Sequence, residues 1–151
     1  MRLNHDYVRD ILLFIESELT FDDNGKHQEL MFGKLLVDDN FKKHDENELL
    51  YALELLIQEG YINCAKQPYF VRGSLMNATI IGLTWQGHQL LDNVRNNTVW
   101  NAVKNKAVKF GGFSLSVLSH AANAVGMALM NDPDALHNLE KGIEDVSKLF
   151  G

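Results

Sequence analysis

Apolar residues recur at helical spacing along the first twenty residues of the chain, which places them on one face of a helix. Asn4 precedes this stripe and is a favourable N-cap residue, and Leu3 lies where it can pack on Val8 as a hydrophobic staple. The sequence therefore predicts a first helix that ends before the turn-forming run of residues 21–25. Its apolar face comprises Val8, Ile11, Leu12, Ile15 and Leu19.

The apolar residues of the next segment, residues 28–37, favour a short β-strand. They are Leu30, Phe32, Leu35 and Val37, and the alternation is interrupted at Gly33. A turn is predicted at residues 38–40 because Asp and Asn favour turns. Little room then remains for a full second helix before Asp45.

Residues 45–59 carry a second helical stripe, and Gly60 follows at the position of a left-handed C-terminal cap. This pattern predicts a helix whose core face comprises Leu49, Leu53, Leu56 and Ile57.

Two apolar segments after this helix, residues 61–64 and 78–83, have the composition of paired β-strands. Pro68, Gly73 and Asn77 lie between them and predict a loop that is too long for a two-residue turn. Thr84 is then expected to cap a further helix, which contains Leu90, Leu91 and Val94.

Two more helices are predicted beyond residue 97. Thr98 is expected to cap the first of them and Ser114 the second. The first carries an apolar stripe made of Trp100, Val103, Ala107 and Phe110. The second carries two stripes, Leu115, Leu118, Ala122, Val125 and Leu129 beside Val117, Ala121, Ala124 and Ala128. A helix that is apolar over so much of its circumference must be buried from two sides.

The end of the chain predicts one more helix, with Asp132 as its cap and Pro133 at its first position. Its stripe comprises Leu136, Leu139, Ile143, Val146 and Phe150. With the preceding helix it is expected to form an αα-hairpin that packs or dimerises. The residues assigned to dimerisation are Leu115, Leu118, Ala122, Val125 and Leu129.

The order of these elements resembles the winged-helix proteins, in which a helix leads directly into a β-hairpin called the wing. The residues that carry this resemblance are Leu55-Leu56-x-x-x-Gly60-Tyr61-Ile62 and Leu83-Thr84-x-x-Gly87-His88-x-x-Leu91. More narrowly, the chain resembles short phage and prophage proteins catalogued as a domain of unknown function (family 2513). That likeness rests on Leu3-Asn4-His5-Asp6-x-Val8-Arg9-Asp10-Ile11-Leu12, Gly82-Leu83-Thr84-Trp85-Gln86-Gly87-His88 and Val99-Trp100-x-x-x-Lys104. This family implies no established activity.

The fold class predicted from these observations is mainly α with a small β-hairpin or sheet. A winged-helix-like domain is expected over residues 1–97, and a helical extension over residues 98–151. This extension is expected to serve as a packing or dimerisation arm. At 151 residues and 46% hydrophobic content the chain is long enough to bury one ordinary core.

Charge counts against general nucleic-acid binding, since the net charge is −6 and a basic face is expected for such proteins. Within residues 45–59, five of the seven polar positions are carboxylates, which repel phosphates. The leading hypothesis is nevertheless a nucleic-acid-binding regulator of phage or prophage type, by analogy of fold. Its phosphate contacts are assigned to Lys42, Lys43, Lys66 and Arg72. Arg72 on the wing is the best single residue for minor-groove insertion.

The alternative hypothesis is a protein-binding accessory module. In it, the acidic helix of residues 45–59 docks on a basic partner, and one candidate partner is a protein that normally binds DNA. The residues assigned to this contact are Glu48, Glu54 and Gln58. Both hypotheses stay open at the level of sequence.

No catalytic activity, cofactor or metal is predicted. The six histidines show no ligand spacing, and neither a phosphate-binding glycine loop nor a nucleophile elbow is present. Cys64 is the single cysteine and is expected to be a buried structural thiol in a cytoplasmic protein. The charge-free residues 110–131 contain too many polar side chains to be expected to span a membrane.

Overall fold

The computed structural model describes residues 1–132, 134, 135 and 137. The chain divides into two compact units, residues 1–88 and residues 89–151. Most of the predicted last helix lies outside the described residues, so the predicted αα-hairpin stays a prediction. The domain boundary expected after residue 97 stays a prediction.

Helix α1 (His5–Glu18) begins as its sequence predicts. The side-chain oxygen of Asn4 accepts hydrogen bonds from the backbone N–H groups of Asp6 and Tyr7. These bonds satisfy donors that have no partner inside the helix. Leu3 and Val8 are both buried, as a hydrophobic staple requires.

The expected strand over residues 28–37 is wrong beyond Met31. Strand β1 (Leu30–Met31) is followed at once by a five-residue helix, α2 (Phe32–Leu36), and then by a 3-10 helix (Asp39–Phe41). Leu35 and Leu36 lie three and four positions after Phe32, which is helical spacing. The helical turn fully buries Leu35. The segment before Asp45 therefore does hold a short second helix.

Helix α3 (Glu46–Gln58) lies where residues 45–59 predict it. The Asp45 carboxylate accepts a hydrogen bond from the Glu48 N–H at 2.9 Å and so caps the helix. Gly60 has a φ of +81° and ends it in the predicted left-handed conformation. Four residues of its predicted face are buried, and Ala52 joins them.

Both predicted wing strands belong to a three-stranded antiparallel sheet. Strand β2 (Ile62–Cys64) pairs with the last strand of the sheet, Thr79–Leu83, and that strand also pairs with β1. The central position belongs to Thr79–Leu83, although it comes last in the sequence. Ile62 lies opposite Leu83, and Leu30 lies opposite Ile80.

The long loop expected between these strands is instead a second hairpin. Strands β3 (Tyr69–Val71) and β4 (Ser74–Asn77) pair with each other, and Thr79–Leu83 is therefore β5. Arg72 and Gly73 alone join β3 to β4, with φ values of +50° and +83°. Positive φ at both central residues is the mark of a tight hairpin turn whose twist matches its strands.

Helix α4 (Trp85–Val94) begins after Thr84, as predicted. The Thr84 hydroxyl donates to the Gly60 carbonyl at 2.6 Å and accepts from the Gly87 N–H at 3.1 Å. A side chain at Gly87 would overlap the carbonyl oxygen of Tyr61. The motif of residues 82–88 is therefore explained in part by capping and by close backbone approach.

Helices α5 (Asn97–Lys109) and α6 (Leu115–Asn131) pack on each other in the second unit. Asn96 caps α5, so the expected cap at Thr98 is wrong, and the Asn96 side chain reaches the N–H groups of Thr98 and Val99. Ser114 caps α6 as predicted. Within the second stripe of α6, Ala121 is buried and Val117, Ala124 and Ala128 are half-buried, so burial of this helix from two sides stays a prediction.

The protein is thus mainly helical with a small antiparallel sheet, which confirms the predicted fold class. Among the described helices, none combines the length and the apolar character needed to cross a membrane.

Candidate binding surfaces

The β3–β4 hairpin has one face turned into the protein and one turned outward. Phe70 and Leu75 lie opposite each other on the inner face, and Leu75 is buried. Val71, the neighbour of Phe70, lies on the opposite side of β3 because side chains alternate along a strand. A register shift between Tyr69 and Phe70 interrupts this alternation at the start of the hairpin. We call the exposed apolar side chains of Tyr69, Val71 and Met76, which are 61%, 40% and 55% exposed, the outer face of the hairpin.

A hydrogen bond joins this hairpin to α3. The Glu54 carboxylate accepts from the backbone N–H of Leu75 at 2.8 Å, across 21 residues of sequence. The sequence assigns Glu54 to a protein contact. In the structure its side chain is half-buried and bonded to Leu75 of the same chain. The hairpin is therefore held toward α3.

Two other residues of the predicted acidic surface differ in their surroundings. Glu48 is half-buried and accepts a hydrogen bond from the Asn4 side chain at 3.4 Å. Gln58 is exposed at the end of α3. The acidic helix keeps further exposed carboxylates at its two ends, those of Glu46 and Glu59.

The four residues assigned to phosphate contact are all exposed, but they lie on different elements. Arg72 is at the tip of the β3–β4 hairpin, and Lys66 follows β2. Lys42 and Lys43 follow the 3-10 helix, and Lys42 forms an ion pair with Asp39 at 3.1 Å. Among the described contacts, none joins Arg72 or Lys66 to Lys42 or Lys43.

Most of the residues assigned to dimerisation lie inside the second unit. Leu115, Leu118, Ala122 and Val125 are buried there, and Leu129 is half-buried. Their role in a dimer stays a prediction.

A groove that the sequence did not predict lies between α1 and the 3-10 helix. It has a volume of about 540 Å³. Its apolar lining comes from Leu13, Phe14 and Phe41, and its polar lining from Asp10, Glu16, Ser17, Glu18 and Asn40. On α1, the spacing of Asp10, Phe14 and Ser17 places them on one face of the helix, a signal that the sequence does contain.

One wall of this groove is fixed by a chain of aromatic contacts. The rings of Phe14 and Phe41 meet edge to face with their centroids 5.1 Å apart. The His44 ring contacts Phe41 edge to face and meets Tyr7 at a tilt. The Tyr7 hydroxyl accepts a hydrogen bond from the Asp45 N–H at 2.9 Å. These contacts join α1 to the segment that leads into α3.

His44 also holds one carboxylate of the groove. Its Nε2 lies 2.9 Å from Oδ2 of Asp10, and its side chain is only 15% exposed. Within the described part of the chain, its Nδ1 is buried without a hydrogen-bond partner. Asp10 and His44 are 34 residues apart in sequence. No local motif could have indicated this pair.

Cys64 ends β2 and is half-buried rather than fully buried. Burial raises the pKa of its thiol because desolvation disfavours the thiolate. A raised pKa makes the thiol less reactive at neutral pH, in agreement with a structural role.

These features define a mainly α protein with a small sheet and two candidate binding surfaces. Residues 2–114 match the model of a family described as Hypothetical protein (DUF2513). The chain belongs to this family, as its sequence motifs indicate. It is also similar to an uncharacterized protein of Haemophilus influenzae, with 36% identity over 117 residues that cover 78% of this chain and 86% of the relative. No solved structure gives a significant match.

Proposed function

We propose that the first unit is a winged-helix scaffold whose function is to bind a protein partner through the outer face of the β3–β4 hairpin. The scaffold part of the proposal is supported by the element order α1-β1-α2-α3-β2, by the return of the chain through β5, and by the sheet order β1-β5-β2. The resemblance to phage and prophage proteins belongs to the same proposal.

The observation that carries the proposed function is the outer face of the hairpin. Tyr69, Val71 and Met76 place three large apolar side chains in solvent, beside Arg72 at the tip. Tyr, Met and Arg are enriched at the centres of protein interfaces. Arg72 supports the same conclusion. Asn is the residue favoured at its position in the turn, so the presence of Arg there indicates a role for its side chain.

The charge of the first unit defines the kind of partner. Residues 1–88 contain eight Lys or Arg and fourteen Asp or Glu, a net charge of −6. Opposite charge steers association and suppresses wrong partners. The partner is therefore a protein with a basic surface around an apolar centre. The function is binding, and the absence of catalysis stays a prediction.

Nucleic-acid binding is the second candidate, and the exposed Arg72 at the hairpin tip favours it. A basic side chain on a projecting turn can enter a minor groove. Two observations favour the protein partner instead. Glu54 ties the hairpin to α3, whose exposed ends carry carboxylates, and Asp39 already pairs with Lys42.

The experiment compares two matched double variants of the full chain. In the first, Tyr69→Ser with Met76→Ser removes apolar side chains from the hairpin. In the second, Phe21→Ser with Val37→Ser removes similarly exposed side chains elsewhere. A partner is captured from a lysate of the cells that encode the protein, then purified and titrated calorimetrically against each form. Loss of binding with the hairpin variant alone is the expected result.

A parallel titration with duplex DNA distinguishes the second candidate. If DNA binds at low salt, and Arg72→Ala with Lys66→Ala abolishes the binding, the phosphate-contacting function is correct. A purified partner that binds both serine variants equally well would contradict the hairpin surface.

A further inference from the structure

We propose that the groove between α1 and the 3-10 helix is a second docking site, which receives a lysine- or arginine-bearing segment of the basic protein partner. This inference rests on the proposed function, because it names a further contact of the same partner. It concerns a different surface, built from other elements than the hairpin.

The first argument is the composition of the groove. Phe14 and Phe41 form an apolar floor, and both rings are held in place by their mutual contact. Carboxylates of Asp10, Glu16 and Glu18 line the same space, and none of its lining residues in the described part of the chain is Lys or Arg. A ligand that enters must offer both apolar surface and positive charge.

Lysine and arginine side chains have this combination, because each carries a charged head on an apolar stem. The stem would cover the phenylalanine floor while the head meets the carboxylates. The volume of about 540 Å³ falls within the range of small-ligand pockets, so an extended segment with one or two such side chains has room. A bare metal ion fits less well, since among the described residues no three His, Cys, Asp or Glu side chains are grouped for metal binding.

The second argument is the way in which Asp10 is held. His44 lies with Nε2 2.9 Å from Oδ2 of Asp10, and this contact orients the carboxylate at the groove. The Asp10 side chain is partly exposed, so a cation that enters the groove can reach it.

The test uses a defined probe and the full chain. The probe is an acetylated and amidated heptapeptide in which leucine and arginine alternate with glycine, and its control contains citrulline, the neutral analogue, in place of arginine. Amide chemical shifts of the 15N-labelled protein report where each peptide binds. We expect the arginine peptide to move the signals of Phe14, Ser17 and Phe41, and the citrulline peptide to leave them in place.

Charge variants then distinguish binding in the groove from general electrostatic attraction between the basic peptide and the acidic protein. Asp10→Asn with Glu18→Gln should weaken binding about fivefold, as expected for two partly exposed ion pairs. The control, Glu46→Gln with Glu59→Gln, removes the same charge from exposed positions on and beside α3 and should leave the affinity unchanged. Glu18→Gln alone serves as a second variant, because Glu18 is exposed and Asp10 contacts His44.

Equal weakening by both double variants, or the absence of shifts in the groove, would overturn the inference. Either outcome leaves the hairpin proposal intact if the purified partner still requires Tyr69 and Met76. Conversely, a peptide that binds the groove supports this inference even if the hairpin variants retain the partner.

Discussion

Glu54 and Leu75 are joined by a hydrogen bond of 2.8 Å, from the backbone N–H of β4 to the carboxylate on α3. Leu75 is buried next to this bond with Phe70 opposite it, whereas Tyr69, Val71 and Met76 are exposed. A two-stranded hairpin is only marginally stable by itself. The orientation of the proposed binding face therefore depends on a side chain from another element.

Glu54→Ala should loosen the hairpin while the three-stranded sheet remains. Because the Leu75 N–H would lose a charged acceptor, we expect the free energy of unfolding to fall by about 1–2 kcal/mol. Urea denaturation measures this change, and hydrogen exchange at the Leu75 amide should accelerate. Glu59→Ala is the matched control, since Glu59 is exposed just after the same helix. Equal effects of the two substitutions would contradict the role given to Glu54.

Gly87→Ala should be among the most destabilising substitutions of a small residue in the first unit. The added methyl group would overlap the Tyr61 carbonyl oxygen, and backbone atoms cannot move aside as a flexible side chain can. We expect a loss of about 3 kcal/mol in the free energy of unfolding, by overpacking.

Gly33→Ala is the control for this substitution. Gly33 lies in α2 with open space around it, so alanine there should stabilise the protein by about 0.5–1 kcal/mol. Thermal or urea unfolding of both variants checks the pair. A mild effect at Gly87 would contradict the close approach of α4 to the Tyr61 carbonyl.

The helices that the sequence predicts correctly are those whose signals are local. Asn4, Asp45 and Ser114 each cap the helix that follows them, and most residues of the stripes predicted for α1 and α3 are buried. N-cap bonds connect residues two or three positions apart, so a short stretch of sequence contains all the information they need. Gly60 is a further example, because its left-handed conformation follows from its position alone.

The errors come from elements whose form depends on distant contacts. Residues 32–36 are too few to be stable as an isolated helix, and the burial of Leu35 outweighs the alternating pattern. The Arg72-Gly73 turn lacks the Asn-Gly signal typical of such hairpins. The groove depends on Asp10 and His44, which meet only in the folded chain.

Substitution of Arg72 should separate stability from binding. Arg72 has a φ of +50°, a conformation that costs L-residues other than Asn and Asp. Arg72→Asn should therefore raise the free energy of unfolding by about 0.5–1 kcal/mol, with the turn retained. Arg72→Val should lower it, because β-branched residues fit this conformation poorly.

Urea denaturation ranks the three forms, and calorimetry measures their affinity for the purified partner. If Arg72 is kept for its side chain, the asparagine variant will be more stable and bind more weakly. A variant that gains stability and keeps full affinity would remove Arg72 from the binding surface.

The reactivity of Cys64 should depend on pH in a direction set by its burial. Desolvation raises the pKa of the thiol in the folded chain above its value in the unfolded chain. The unfolded chain therefore loses this proton first as the pH rises. Between the two pKa values the folded state is progressively destabilised, while below the unfolded value the contribution of the protonated thiol is fully present.

Alkylation by iodoacetamide followed against pH tests this expectation, and the single cysteine makes the readout unambiguous. The midpoint of the rate profile should lie at higher pH for the folded protein than for the protein in urea, because only the thiolate reacts. Steric shielding alone would lower the rate without moving the midpoint. A folded-state midpoint at or below that of the unfolded protein would show that Cys64 lies in a more polar environment than β2 provides.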